Sequence, residues 1–126
     1  MRAVDTNVLV RLVVPDDAVQ VAAAGRFVAG GVWASHVVLA EFAWALEFVY
    51  GFAPARIADA VDMLLRVPTL VIDDTDVVAS ALHAFRAKPA VGFPDHLILE
   101  IARKAGHLPL GTFDRRLGKV AGAEAL

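Results

Sequence analysis

Four carboxylates stand at the positions of this 126-residue chain where chemistry is easiest to build: Asp5, Glu41, Asp95 and Asp114. Each follows an apolar, strand-like run or falls in the early turns of a helix that follows a strand or loop. In a parallel α/β sheet those positions converge on one edge, where ligands bind. Four carboxylates gathered without cations would repel one another and raise their own pKa values. Hard divalent cations such as Mg²⁺, with Mn²⁺ as a substitute, resolve that conflict, because they prefer oxygen ligands and also hold phosphates. The chain has no cysteine, so a thiolate site is excluded and any metal is held by oxygen or imidazole. His36, His83, His96 and His107 form no metal-binding pair on a common helical face, and no H-E-x-x-H motif is present.

The elements that must position these acids are legible in the hydropathy pattern. Arg2 to Val4 reads as a short strand, followed by the turn- and cap-prone Asp5-Thr6-Asn7 and an apolar helical run from Val8 to Val14. Taken alone, Asp5 or Thr6 is a capping residue for that run. Ala18 to Ala29 is an alanine-rich helix ended by Gly30-Gly31, and Val32 to Ala34 is a brief strand. Ser35 caps a strong helix from about His36 to Tyr50, on which Glu41, Trp44 and Phe48 share one face. Pro54 opens a helix over Ala55 to Arg66; Thr69 to Ile72 is a buried strand; a further helix spans Val77 to about Ala87. Lys88 to Pro94 is an irregular loop, Asp95 to about Lys104 a helix, and Leu108 to Phe113 leads into Asp114 and a short tail. Strands alternating with helices through short connections predict a single domain over residues 1–126, a three-layer α/β/α sandwich with a mainly parallel sheet.

Composition narrows the function classes. Twelve basic residues against 14 acidic ones, a formal net charge of −2, argue against binding nucleic acid by net charge alone. They leave a nuclease open, because divalent cations at a carboxylate site override the global balance locally. No stretch is long and unbroken enough to span a bilayer, and Asp5 and Asn7 interrupt any signal-peptide core, so a cytoplasmic protein is expected. A hydrophobic fraction of 58% in so small a chain predicts a covered apolar surface, a homodimer or a dedicated partner.

The ordered set Val4-Asp5-Thr6-Asn7-Val8-Leu9, Ala40-Glu41, Phe93-Pro94-Asp95-His96-Leu97-Ile98 and Thr112-Phe113-Asp114-Arg115 resembles the PIN-domain ribonucleases, and more narrowly the small VapC-type toxins of toxin–antitoxin pairs. The resemblance runs over nearly the whole chain. It implies a small α/β/α sandwich, metal-dependent endoribonuclease activity, and a cognate antitoxin that covers the site. It also implies that Asp5, Glu41 and Asp95 form the metal site, that Asp114 is the fourth and least constant acid, and that Thr6, Asn7 and Thr112 orient ligands or water. His96 departs from the pattern, since small or apolar residues are more usual after the acid. Metal-activated water would then cleave the phosphodiester without a protein nucleophile. Arg115, Arg116, Lys88 and Arg11 are candidate contacts to RNA phosphates, against the plain reading of solvated surface charge.

Other acids and aromatics read as structural. Asp73, Asp74, Asp76, Asp16 and Asp17 are expected at helix starts, Glu47 and Glu100 as surface charges, and Trp44 and Phe48 as packing residues ahead of base stacking or a partner's groove beside Glu41. A receiver-like phosphoacceptor would need an acidic pair after the first strand and a lysine after a late one; a haloacid-dehalogenase-like hydrolase would need an aspartate at Asn7. A catalytically silent binding module of the same fold is the remaining alternative.

Overall fold

The computed structural model describes all residues from Met1 to Leu126. The chain divides into two compact units, Met1–Asp73 and Asp74–Leu126. The first contains β1 (Arg2–Ala3), α1 (Thr6–Arg11), α2 (Ala18–Ala29), β2 (Val32–Ala34), α3 (His36–Phe48), α4 (Pro54–Leu65) and β3 (Leu70–Ile72). Its three strands are parallel in the order β1-β2-β3, with Ala3 opposite Trp33 and Trp33 opposite Val71. Parallel neighbours require crossovers, and helices supply them: α2 joins the first strand region to β2, and α3 with α4 joins β2 to β3.

Side-chain periodicity explains the packing. Val32 and Ala34 are fully buried while Trp33 between them is partly exposed, the alternation of a strand with two different faces. On α3, Leu39, Phe42 and Leu46 are buried with no residual exposure, and α3 packs on α1 and α4. Ser35 accepts a hydrogen bond from the Val38 N–H and so fixes where α3 begins; Asp17 does the same for α2 through the Gln20 N–H. Pro54 starts α4 at a position where its missing N–H costs nothing.

The second unit contains α5 (Thr75–Ala87), α6 (Phe93–Ala105), β4 (Leu110–Thr112), a 3₁₀ turn at Leu117–Lys119, and β5 (Ala123–Ala125). The two helices pack along their length, and β4 pairs in parallel with β5. Val91, Leu99 and Leu117 form a buried cluster with Leu110 and Val120 against it. Gly106, at φ +82°, closes α6 in the left-handed conformation that glycine takes without penalty.

Parallel strands with six helices place the chain in the α/β/α class expected from its sequence. The tail is the main departure: residues Ala123–Ala125 form a strand where the sequence reads only as a short tail. Helices α1, α5 and α6 each start two residues earlier than the sequence predicts. No helix is long and apolar enough to cross a membrane.

Candidate metal and catalytic site

Asp5 sits between β1 and α1 with extended backbone, φ −95° and ψ −177°, at the N-cap position of α1. Its carboxylate makes no capping hydrogen bond, so the capping role open to it in the sequence is not the one it plays. The neighbouring Thr6 hydroxyl instead donates to Glu41 Oε2 at 2.7 Å, tying the start of α1 to the second turn of α3. Asp5, Thr6, Asn7 and Glu41, with Trp44 and Ala45, line a cavity of about 520 Å³. The lining contains two carboxylates and no lysine or arginine.

Trp44 and Phe48 lie on the Glu41 face of α3, as their spacing predicts, but they are not packing residues. They are 55% and 64% exposed, and their rings touch each other at a centroid distance of 5.2 Å. Leu39, Phe42 and Leu46 on the opposite face meet the whole packing need of α3, which leaves the aromatic face outward.

In the second unit, Asp95 stands in the first turn of α6, half-buried. Burial pushes its carboxyl above the usual carboxylate range, the Asp114 charge pushes it further, and His96 acts in the opposite sense. Asp114 also has a structural duty that the sequence does not announce. Its Oδ1 accepts from the backbone N–H groups of Arg116 and Leu117, both at 2.9 Å, and holds the turn that leads into Leu117–Lys119. Thr112 Oγ1 accepts from the Asp114 N–H at 3.0 Å. His96 is buried, with Nε2 3.0 Å from the Lys88 carbonyl oxygen. A carbonyl only accepts, so Nε2 carries the proton and pins the 88–92 loop to the start of α6.

The basic candidates fare differently. Arg11 is engaged inside its own unit, paired with Asp16 and bonded to Gln20 at 2.8 Å and Tyr50 at 3.4 Å. The Tyr50 hydrogen bond and the nearby Asp16 charge hold its guanidinium protonated above its ordinary range. Arg115 and Lys88 are exposed, and Arg116 reaches the Ala90 carbonyl at 3.5 Å. Among the expected caps, Asp17 caps α2, but Asp16 pairs with Arg11 instead. Asp74, at φ +40°, occupies the N-cap position of α5 without a side-chain capping bond and pairs with Lys104 at 2.7 Å.

Within neither unit do three His, Asp or Glu side chains converge. One unit carries Asp5 and Glu41 on a shared cavity, and the other carries Asp95 and Asp114 within electrostatic reach of each other. In each unit the donors are carboxylate oxygens, and at the cavity of Asp5 and Glu41 no basic side chain lines the wall; oxygen donors of this kind suit a hard divalent cation.

Comparison with known proteins adds a family. A family model described as the PIN domain matches residues 2–123, across both units. Among solved structures, VapC20 of Mycobacterium tuberculosis, a toxin that cleaves the sarcin–ricin loop, is similar at 19% identity over 99% of this chain and 98% of that one, with a TM-score of 0.45. No curated protein sequence matches.

Proposed function

The chain belongs to the PIN-domain family, and from that premise we propose that it is a divalent-metal-dependent endoribonuclease, the toxin of a toxin–antitoxin pair, with Asp5, Glu41, Asp95 and Asp114 as its metal-binding acids. The observation that carries the reading is the state of Asp5: an acid at the first family position, free of the capping duty its location invites, on a cavity shared with Glu41 and lacking any basic side chain. The ordered motif set around the four acids supports the narrower toxin reading.

Mg²⁺, or Mn²⁺ in its place, when bound supplies Lewis acidity toward a phosphodiester and an attacking water. The remaining work falls to the chain. Thr6 steadies Glu41 by donating to Oε2 and leaves Oε1 for a ligand. Thr112 and the two backbone N–H groups on Oδ1 orient Asp114 and leave Oδ2 for a ligand. Burial and the neighbouring Asp114 make ionised Asp95 costly in the metal-free protein, a strain that a cation relieves. Arg115, Arg116 and Lys88 are the cations available for RNA phosphates, and Arg11 acts as a structural residue. An antitoxin segment with a basic side chain would satisfy the same acids and so block the site.

The test is cleavage of a mixed cellular RNA pool by purified, partner-free protein. Discrete fragments are expected with Mg²⁺ and none with EDTA. Asp5→Asn in Mg²⁺ is expected to lower the rate by roughly 100-fold or more, since metal charge stabilisation is worth several kcal/mol. Intact RNA in all three lanes, from folded protein, would instead favour a silent binding module.

A further inference from the structure

The cavity at Asp5 has a wall that the hydrolytic chemistry does not use. Trp44 lies one turn beyond Glu41 on the same face of α3, about 5–6 Å away at the Cβ level, and lines the cavity beside Asp5, Thr6 and Asn7. Phe48, one turn further, leans on the indole at 43° between ring planes and leaves Trp44 more than half exposed. We propose that Trp44, buttressed by Phe48, is a stacking platform for one unpaired base of single-stranded RNA. This rests on the ribonuclease reading and specifies how its substrate is held.

The chemistry of the cavity decides between occupants. An apolar helix from a partner, or α3 of a second copy, that filled the cavity wall at Trp44 would also press on Asp5 and Glu41, which line the same cavity. It would bury two carboxylates with no basic residue in the lining to receive them. An unpaired nucleobase has the complementary shape and polarity: an apolar face for the indole, polar edges for Thr6 and Asn7, and a sugar-phosphate that stays hydrated beside the acids. A cavity of about 520 Å³ has room for one nucleotide. Stacking is also tolerant of base identity, so the platform contributes grip more than sequence choice.

The experiment uses the full chain carrying Trp33→Phe, which leaves Trp44 as the sole tryptophan of the original two. Its emission is followed by stopped flow, ahead of turnover, on mixing with an eight-nucleotide single-stranded RNA or with an abasic ribose-phosphate chain of equal length. Quenching by the RNA and not by the abasic chain is expected. In steady-state cleavage, Trp44→Ala should raise KM roughly tenfold while kcat stays within about twofold, and Trp44→Phe should recover most of the loss. If RNA is cleaved but quenches nothing, and Trp44→Ala leaves KM unchanged, the platform is refuted and the nuclease stands. A change in sedimentation mass on Trp44→Ala with KM unaltered assigns the face to a protein contact and also overturns the proposal. If no RNA is cleaved, the nuclease reading fails on its own, and the quench alone decides whether Trp44 stacks on a base.

Discussion

Asp114 shows why one side chain can carry two duties that different substitutions separate. Its Oδ1 holds two backbone N–H groups, while its charge acts on Asp95 and belongs to the proposed acid set. Asp114→Asn keeps an oxygen acceptor and removes the charge, so cleavage should fall sharply while urea denaturation shifts by less than about 0.5 kcal/mol. Asp114→Ala removes both, and should lose activity and also about 1 kcal/mol of stability, the usual cost of a lost side-chain cap. Asp95 offers a prediction of opposite sign. Because its folded-state pKa lies above the unfolded value of about 3.9, the folded protein binds more protons than the unfolded chain between those two values. Its contribution to stability is therefore most favourable at low pH and is lost as pH rises through that window. Metal-free Asp95→Asn should lack this loss and melt a little higher than the parent at pH 7 but not at pH 3; thermal melts at both values in EDTA decide it. A parent that outlasts the variant at pH 7 would contradict the strain assigned to Asp95.

Among the elements, the least anticipated is β5, and its attachment depends on a glycine. A Cβ on Gly118 would stand 2.8 Å from the Ala125 Cβ, a separation real side chains do not tolerate. Gly118→Ala should therefore push the last strand from β4 and cost about 1–3 kcal/mol, the range for overpacking, with faster hydrogen exchange at the Leu126 amide, which donates to Thr112. Unchanged exchange there would mean that the tail yields without leaving the sheet. Helix α3 teaches a different lesson. Its 3.6-residue period put Glu41, Trp44 and Phe48 on one face, and that geometry was readable from spacing alone. Whether the face points inward was not, because both faces are apolar enough to pack; the neighbours α1 and α4 chose the other one. The early starts of α1 and α6 differ in origin: Thr6 joins the helical backbone ahead of the apolar stripe, whereas buried Phe93 begins the stripe of α6 two residues before Asp95.

At the level of the whole molecule, each unit carries two of the proposed metal-binding acids, so metal binding should be readable without any substrate. Saturating Mg²⁺ at about 100 times its dissociation constant should stabilise the folded chain by about 2.7 kcal/mol, visible as a rise in melting temperature. Asp5→Asn from the first unit and Asp95→Asn from the second should each shrink that rise. If one of the pair leaves it untouched, that unit contributes nothing to the metal, and the four-acid assignment is wrong.

Residue types and their order were enough to predict the class, through short apolar runs alternating with amphipathic helices, because periodicity is a local property of a chain; the four acids in their motifs carried the resemblance to the PIN family that the family model bears out. What each acid does besides was decided only by tertiary structure. Asp5 is released from capping, Asp114 is committed to a turn, Arg11 is spent on Asp16 and Tyr50, Asp74 pairs with Lys104, and Trp44 faces outward. The pairings of Arg11 and Asp74 are competitions for partners 5 to 39 residues away and the outward Trp44 is a choice of which face to bury, and neither has an imprint in local pattern; the turn at Asp114 is local, with partners two and three residues on.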